Sequence, residues 1–142
     1  MPKTASGLQF AGLILLLMNT ASANDIPSAL PPCPGTPNCV SSQASDVEHF
    51  VAPIAYTGSP EQAMQHMQQV LDAMPRSRPV TRHAGYLHYE FRSLIFRFVD
   101  DVECLLDSSG SVIQIRSASR VGRGDFGVNR RRVERIRDAF RQ

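Results

Sequence analysis

The feature that most constrains the fold is an alternation of apolar and polar residues with a period of two, which begins at Tyr86. Successive side chains of a β-strand point to opposite faces of the sheet, so the alternation predicts strands over residues 86–92, 94–106 and 111–119. Residues 107–110, Asp-Ser-Ser-Gly, have the composition of a hairpin connection. Three consecutive strands with short connections predict an antiparallel meander.

The same alternation separates a core face from a solvent face. The apolar residues predicted to face the core are Leu87, Tyr89, Phe91, Leu94, Phe96, Phe98, Val102, Cys104, Leu106, Ile113 and Ile115. This register also directs Asp100 toward the core. Because burial of a carboxylate is costly unless it is paired, we expect a buried or half-buried network of carboxylates and guanidinium groups there.

Two helices are predicted outside the meander. Ser59 and Pro60 are typical of a helix start, and apolar residues then recur at intervals of three and four until Pro75, so a helix is expected over residues 60–74. A second helix, over residues 127–141, would bury Val133, Ile136 and Phe140 along one stripe.

A strand is expected over residues 49–56, at a sheet edge or broken at Pro53, because proline cannot donate to a strand ladder. The element order is then β-α-β-β-β-α. This order predicts an α+β fold, in which two helices pack on one face of a small antiparallel sheet of about four strands.

The N-terminus has the pattern of a secretory signal peptide over residues 1–23, with Lys3, a short apolar run and a small-residue site that predicts cleavage after Ala23. The apolar run is about half of the roughly 20 residues that span a bilayer, so we expect no membrane-spanning segment after cleavage. We therefore expect a periplasmic or secreted protein. It would consist of an N-terminal arm over residues 24–45, held by a disulfide, and a single α+β domain over residues 46–142.

Three cysteines follow the predicted cleavage site, and an exported protein can form disulfides. Cys33 and Cys39 enclose the sequence PGTPN, whose prolines and glycine suit a tight turn, so a bridge between them is the favoured pairing. Cys104 lies at an apolar strand position, where a free thiol packs as a small hydrophobe. The four histidines are scattered without metal-ligand spacing, so no metal site and no cofactor are expected.

Charge is distributed unevenly along the chain. Residues 24–115 contain 5 basic and 10 acidic side chains, whereas residues 116–142 contain 9 arginines and 3 acidic side chains. Opposite patches on one small chain favour neutralisation by packing against each other. An anionic partner is the alternative.

The segment SASRVGRGDFGVNRRRVER combines several short motifs. Gly122, Gly124 and Gly127 spell G-x-G-x-x-G, but no second parallel strand follows the next helix, so we expect no dinucleotide site. An Arg-Gly-Asp tripeptide is too short to be specific, and Asp125 or Asn129 would cap the helix instead. The arginine run has no aromatic residues for base stacking, so we expect no nucleic acid, which leaves an anionic small molecule, a lipid headgroup or a cell-envelope polymer.

The candidate site lies where the last two predicted strands pair. Pairing through the hairpin brings acidic residues of one strand close to arginine and serine residues of the next, and the cap of the following helix lies beside them. The candidate ligand-binding residues are Asp100, Asp101, Glu103, Arg116, Ser117, Ser119, Arg120, Asp125 and Asn129. Such a cluster either locks the sheet to the terminal helix or holds a polar ligand.

Three stretches together resemble a known family. CPGTPNCVSS, DDVE and RSASRVGRGDFGVNRRRVERIRDAF are similar to family 1499 of the domains of unknown function. The resemblance implies no established activity. Cys104 stands where that family usually has an aromatic residue, and this departure favours Cys33 with Cys39 as the bridge.

These observations favour a small exported, non-enzymatic domain that binds a polar or anionic ligand, or an envelope partner, through the Asp/Arg/Ser cluster. One alternative is a hydrolase that uses a carboxylate of Asp100, Asp101 or Glu103, with Ser41, Ser42 or His88 nearby. The other alternative is a purely structural envelope protein.

Overall fold

A computed structural model describes residues 26–142. The predicted signal peptide and its cleavage after Ala23 lie outside the described residues. The helices and strands, in chain order, are β1 (Cys39–Ser41), β2 (Ile54–Ala55), α1 (Pro60–Ala73), β3 (Ser77–His83), β4 (Tyr86–Arg92), β5 (Val99–Asp107), β6 (Val112–Ser119) and α2 (Val128–Phe140).

The strands form one antiparallel sheet with the order β1-β6-β5-β4-β3, and β2 also pairs with β6. Both helices pack against each other and against one face of this sheet. The predicted α+β class, the meander of β4, β5 and β6, and the placement of the helices are confirmed. The sheet has six strands in the described residues rather than about four.

Helix α1 starts and stops where its sequence signals predict. Ser59 Oγ accepts a hydrogen bond from the Gln62 N–H at 3.2 Å, and Pro60 occupies the first turn, where its missing N–H costs nothing. Met74 has an extended backbone with ψ of 140°, because the following Pro75 disfavours the helical conformation of its predecessor. The helix therefore ends at Ala73, one residue before the predicted end.

The core lies between the helices and one sheet face. Leu71 and Met67 of α1 and Ile136 of α2 are buried there against strand residues such as Tyr89 and Ile115. The predicted core positions on β4 and β6 are confirmed. Asp100 on β5 is buried on the same face, as its register predicts.

The predicted strand over residues 94–106 is wrong at its start. β5 begins only at Val99, and Leu94, Phe96 and Phe98 are exposed rather than buried. The reason is local: Ser93 and Phe98 close a loop, in which the Phe98 N–H donates to Ser93 Oγ at 2.9 Å and the Ser93 N–H donates to the Phe98 carbonyl at 2.9 Å.

The short strand β2 and the edge strand β3 also differ from expectation. The predicted strand over residues 49–56 shrinks to β2, which begins directly after Pro53. Residues 77–83, for which the sequence predicts no strand, form β3 at the edge of the sheet. Its arginines and the irregular pairing between Pro79 and Thr81 are typical of an edge strand, which faces water along one side.

Candidate functional site

The sheet divides the predicted cluster between its two faces. Neighbouring residues of a strand point to opposite sides, so Asp100 faces the helices whereas Asp101 and Glu103 face away from them. The same alternation on β6 separates Ser117 from Arg116. The expected single cluster is therefore divided between the two faces, and Asp100 pairs with neither Arg116 nor Arg120.

Arg132 of α2 is the partner of Asp100. Its Nη2 donates to Asp100 Oδ2 at 2.6 Å, and its Nη1 donates to Asn129 Oδ1 at 2.7 Å and to Ser117 Oγ at 3.1 Å. Its guanidinium also stacks over the ring of Phe91, 5.1 Å from the centroid. Asp100 and Arg132 are both buried, so this ion pair is held in a low-dielectric environment where loss of either partner is costly.

Asn129 extends these contacts to the N-terminal arm. Its Nδ2 lies 2.9 Å from Ser119 Oγ, 2.8 Å from Asp125 Oδ2 and 3.1 Å from the Asn38 carbonyl. We call Asp100, Ser117, Ser119, Asn129 and Arg132 the buried polar cluster. Its members satisfy each other, so it joins the sheet, α2 and the arm, as the structural interpretation of the sequence expects.

Asp125 caps α2, as the sequence predicts. Its carboxylate accepts hydrogen bonds from the Gly127 N–H at 2.8 Å and from the Asn129 N–H at 2.9 Å. Burial raises the pKa of this carboxyl, but the hydrogen bonds from Asn129 and Gly127 outweigh that effect and leave the pKa below its ordinary value. Asp125 is therefore a charged cap at the positive end of the helix dipole.

The second cluster lies on the other face of the sheet. Arg120 contacts both oxygens of Asp101, at 2.7 Å each, and Glu90 at 2.8 Å. His88 Nε2 lies 2.7 Å from Asp101, and Arg78 donates to Glu90 at 3.1 Å. We call these five residues the outer-face network.

The pairing lowers the pKa of both carboxyls in this network. The Arg120 hydrogen bond holds the pKa of Glu90 below its ordinary value, against a smaller effect of burial. For Asp101, burial raises the pKa, but hydrogen bonds from Arg120 and His88 outweigh it and lower the pKa overall. Both groups are therefore charged at neutral pH and engaged with cations, which makes them poor general bases.

Glu103 and Arg116 form a separate pair on the same face, 2.8 Å apart. The Tyr86 hydroxyl donates to the other oxygen of Glu103 at 2.8 Å. Burial, and then the contact with Glu103, raise the pKa of Tyr86 above its ordinary value. Arg116 Nε is buried without a hydrogen-bond partner among residues 26–142.

The serines proposed for a hydrolase do not meet these carboxylates. Ser41 Oγ accepts from the Gln43 N–H, and Ser42 Oγ contacts Gln114 Oε1 at 2.7 Å and the Ile115 N–H at 2.8 Å. Of Ser41, Ser42 and His88 in the described chain, only His88 contacts one of the candidate carboxylates, that of Asp101. In the described chain these groups therefore do not form an arrangement of nucleophile and base.

A cleft of about 240 Å³ opens beside the buried polar cluster. Its charged lining residues are Arg76, Arg92, Asp100, Arg132 and Arg135, and we call it the arginine cleft. These four guanidinium groups and one carboxylate sum to a formal charge of +3, but Arg92 also lies 3.7 Å from Glu90, so Arg76 and Arg135 are the cleft arginines without a carboxylate partner among residues 26–142. Phe91 and Leu94 contribute apolar surface, and Ser93 contributes a hydroxyl.

The arginines of this cleft come from distant parts of the chain. Arg132 and Arg135 are three residues apart and therefore share one face of α2. Arg76 precedes β3 with a left-handed backbone, φ 59°, and its Nε donates to the carbonyl of Arg92 at 3.1 Å. Of the charged residues that line the cleft, only Asp100 is among the site residues predicted from the sequence. The three-residue spacing of Arg132 and Arg135 in the predicted helix is the sequence signal that could have identified those two arginines as well.

The chain matches one protein family, described as a protein of unknown function (DUF1499), over residues 29–140. This match covers most of the sequence and includes every candidate site residue. The chain belongs to the DUF1499 family. No curated protein matches it.

The DUF1499 domain contains the predicted disulfide. Cys33 is bonded to Cys39, which confirms the favoured pairing, and Cys104 is a buried free thiol. Burial, and then the nearby charge of Glu103, raise the pKa of Cys104 to about 12, so this thiol is protonated and inert in the folded domain.

The described part of this DUF1499 domain contains neither a metal-ligand cluster nor a helix that could span a membrane. Within residues 26–142, no group of three or more His, Cys, Asp or Glu side chains is placed to hold a metal ion. No helix in the same range is both long enough and apolar enough to cross a membrane.

Proposed function

We propose that this protein is an exported binding domain that holds an anionic ligand in the arginine cleft. The observation that carries the proposal is the excess of guanidinium groups in one concave site. Arg135 has no ion-pair or hydrogen-bond partner among residues 26–142, and Arg76 donates only to a backbone carbonyl. Unpaired arginines beside a neutralised floor are suited to phosphate or carboxylate groups, which the planar guanidinium binds through two parallel hydrogen bonds.

The buried polar cluster supports the cleft from below. The ion pair of Asp100 and Arg132 forms its floor and orients α2. Of the predicted site residues, Asp100, Ser117, Ser119 and Asn129 therefore act here as a scaffold for the ligand-binding arginines, whereas Arg116 and Arg120 lie on the other face of the sheet. The sequence pattern of residues 1–23 supports export, and the bridge between Cys33 and Cys39 is a modification that persists in oxidising compartments.

Binding is favoured over hydrolysis because the carboxylates of the candidate site are paired. Asp101 lies in contact with Arg120 and His88, Glu103 with Arg116, and Asp100 with Arg132. The structural alternative, an envelope protein without a ligand, predicts no saturable anion binding at all.

Calorimetric titration with inorganic phosphate and with phenyl phosphate tests the proposal. We expect saturable binding, tighter for phenyl phosphate because Phe91 and Leu94 line the cleft. Arg135→Gln should weaken binding about tenfold, since a hydrogen bond to a charged group contributes about 1.5 kcal/mol or more.

Arg141→Gln is the matched control. Arg141 lies beyond the end of the same helix, has an exposed side chain and does not line the cleft. Equal weakening by both variants, or no saturable binding to the unmodified protein, contradicts the proposal.

A further inference from the structure

Two loops leave the same end of the sheet beside the arginine cleft. One joins β4 to β5 over residues 93–98, and the other joins β6 to α2 over residues 120–127. They are neighbours because Ser119 pairs with Asp100, and the Arg120 N–H donates to the Val99 carbonyl at 3.1 Å. We call them the end loops.

The end loops expose large apolar side chains. Six of the ten exposed large hydrophobic residues in the described chain lie on them, with 52% to 96% of each residue accessible to water. They are Leu94, Ile95, Phe96, Phe98, Val121 and Phe126. Single exposed apolar residues are ordinary, but a group of this size at one end of a small domain is typical of an interaction surface.

Folding of the domain does not account for this exposure. The 93–98 loop is closed by the two hydrogen bonds between Ser93 and Phe98, which need no apolar side chains between them. Arg97 and Phe126 have left-handed backbones, with φ of 55° and 52°, a conformation that is unfavourable for residues other than glycine. Phe126 is the most exposed of the six, so its ring gains nothing by burial within the chain.

The end loops carry three arginines and one carboxylate. Arg120 is paired with Asp101 and Glu90, and the carboxylate of Asp125 is occupied as the cap of α2. Arg97 and Arg123 have no ion-pair partner among residues 26–142, so they are the free positive charges of these loops. The arginine cleft lies directly beside the 93–98 loop, since Ser93 and Leu94 line it. Apolar side chains surrounded by guanidinium groups are complementary to an anionic lipid surface, which offers phosphate groups above an apolar interior.

We propose that this end of the domain docks on an anionic lipid bilayer. The apolar side chains of the end loops insert at the boundary of headgroups and acyl chains, and the surrounding arginines contact lipid phosphates. The assignment of a headgroup to the arginine cleft rests on the proposed function, whereas loop insertion does not. An apolar protein partner would not require the arginines, so charge complementarity favours the lipid surface.

The sequence contains no tryptophan, so one introduced tryptophan reports insertion directly. Phe96→Trp places it on the 93–98 loop, and Ser108→Trp places it at an exposed site in the turn between β5 and β6, at the opposite end of the sheet. Both are made in the full chain. The N-terminal apolar segment is then common to both variants and cannot by itself produce a difference between them.

Each variant is mixed with vesicles of phosphatidylglycerol and phosphatidylcholine, or of phosphatidylcholine alone. With anionic vesicles we expect a blue shift of the Phe96→Trp emission and quenching by brominated acyl chains, and neither effect for Ser108→Trp. Adding Arg97→Gln and Arg123→Gln should weaken the anionic-vesicle interaction about twenty-fivefold, because each basic residue near such a surface contributes about a factor of five.

Three results overturn the inference: an unchanged Phe96→Trp signal, equal signals with neutral and anionic vesicles, or a blue shift that depends on protein concentration without lipid, which indicates self-association. A phenyl phosphate titration of the same protein separates the two proposals. Phosphate binding that depends on Arg135, without insertion of the end loops, would contradict only the membrane inference. Insertion in a protein that does not bind phosphate would contradict only the proposed anion binding in the arginine cleft.

Discussion

Replacement of Arg132 by methionine tests the role of the buried polar cluster. Methionine keeps much of the side-chain volume and its contact with Phe91, but it removes every donor to Asp100, Asn129 and Ser117. Asp100 is 93% buried, since its relative exposure is 7%, so its charge would lose its only ion-pair partner in the described chain. Loss of one partner of a buried pair costs about 3–5 kcal/mol.

Urea denaturation followed by far-UV circular dichroism measures this loss. With a slope of about 1.5 kcal/mol per molar urea, the midpoint should fall by about 2–3 M. Arg141→Met is the control, because the Arg141 side chain is 69% exposed and its single ion pair in the described chain, with Asp138, is long at 3.6 Å. Loss of such an exposed pair should cost less than about 1 kcal/mol.

A double-mutant cycle with Asp100→Leu separates pairing from packing. The double variant should lose about 2 kcal/mol less than the sum of the two single variants, because neither charge is then left alone. If Arg132→Met does not fold, Arg132→Lys should show an intermediate loss, since lysine keeps the charge but not the planar fork of donors. A loss below about 1 kcal/mol for Arg132→Met, or simple additivity in the cycle, would refute the reasoning.

Three further predictions concern the rest of the domain. Cys33→Ser with Cys39→Ser should lower the free energy of unfolding by about 2 kcal/mol, because the disulfide closes only a short loop. Urea denaturation measures this difference. The pKa values of Glu90 and Asp101 lie below their ordinary 4.5 and 3.8, so their contribution to stability is present above pH 4.5 and is lost as pH falls through the lowered pKa values; a stability profile that is flat from pH 5 to pH 2 would contradict this. Cys104 should react with a thiol reagent far more slowly in the native domain than in urea, and equal rates would show that the thiol is accessible.

Local signals in the sequence were sufficient for much of the fold. The cap and the proline at the two ends of α1 act within one turn, and the alternation in β4 and β6 repeats over several residues. The 93–98 loop lacks glycine and proline, so its apolar residues continue the strand pattern although the chain leaves the sheet there. Its closure by Ser93 depends on backbone geometry that alternation does not reveal.

The candidate site was predicted only in part for a different reason. Strand neighbours identify which carboxylates lie near which arginines along the sheet, but the face that each residue occupies determines its actual partner. Asp100 pairs with Arg132 because α2 packs over the sheet face that Asp100 occupies. On the opposite face, Arg120 contacts Glu90, which lies two strands away. The arginine cleft combines α2 with residues near β3 and β4, an arrangement that only tertiary packing creates.

The most direct test of the account is the response of individual arginine side chains to an anion. In nuclear magnetic resonance spectra of the Nε–Hε groups, titration with phenyl phosphate should shift Arg76, Arg92 and Arg135 along one saturable curve. Arg141, outside the cleft, should remain unchanged. A small, linear drift shared by all arginines, or no shift in the cleft, would contradict the claim that this site binds an anionic ligand.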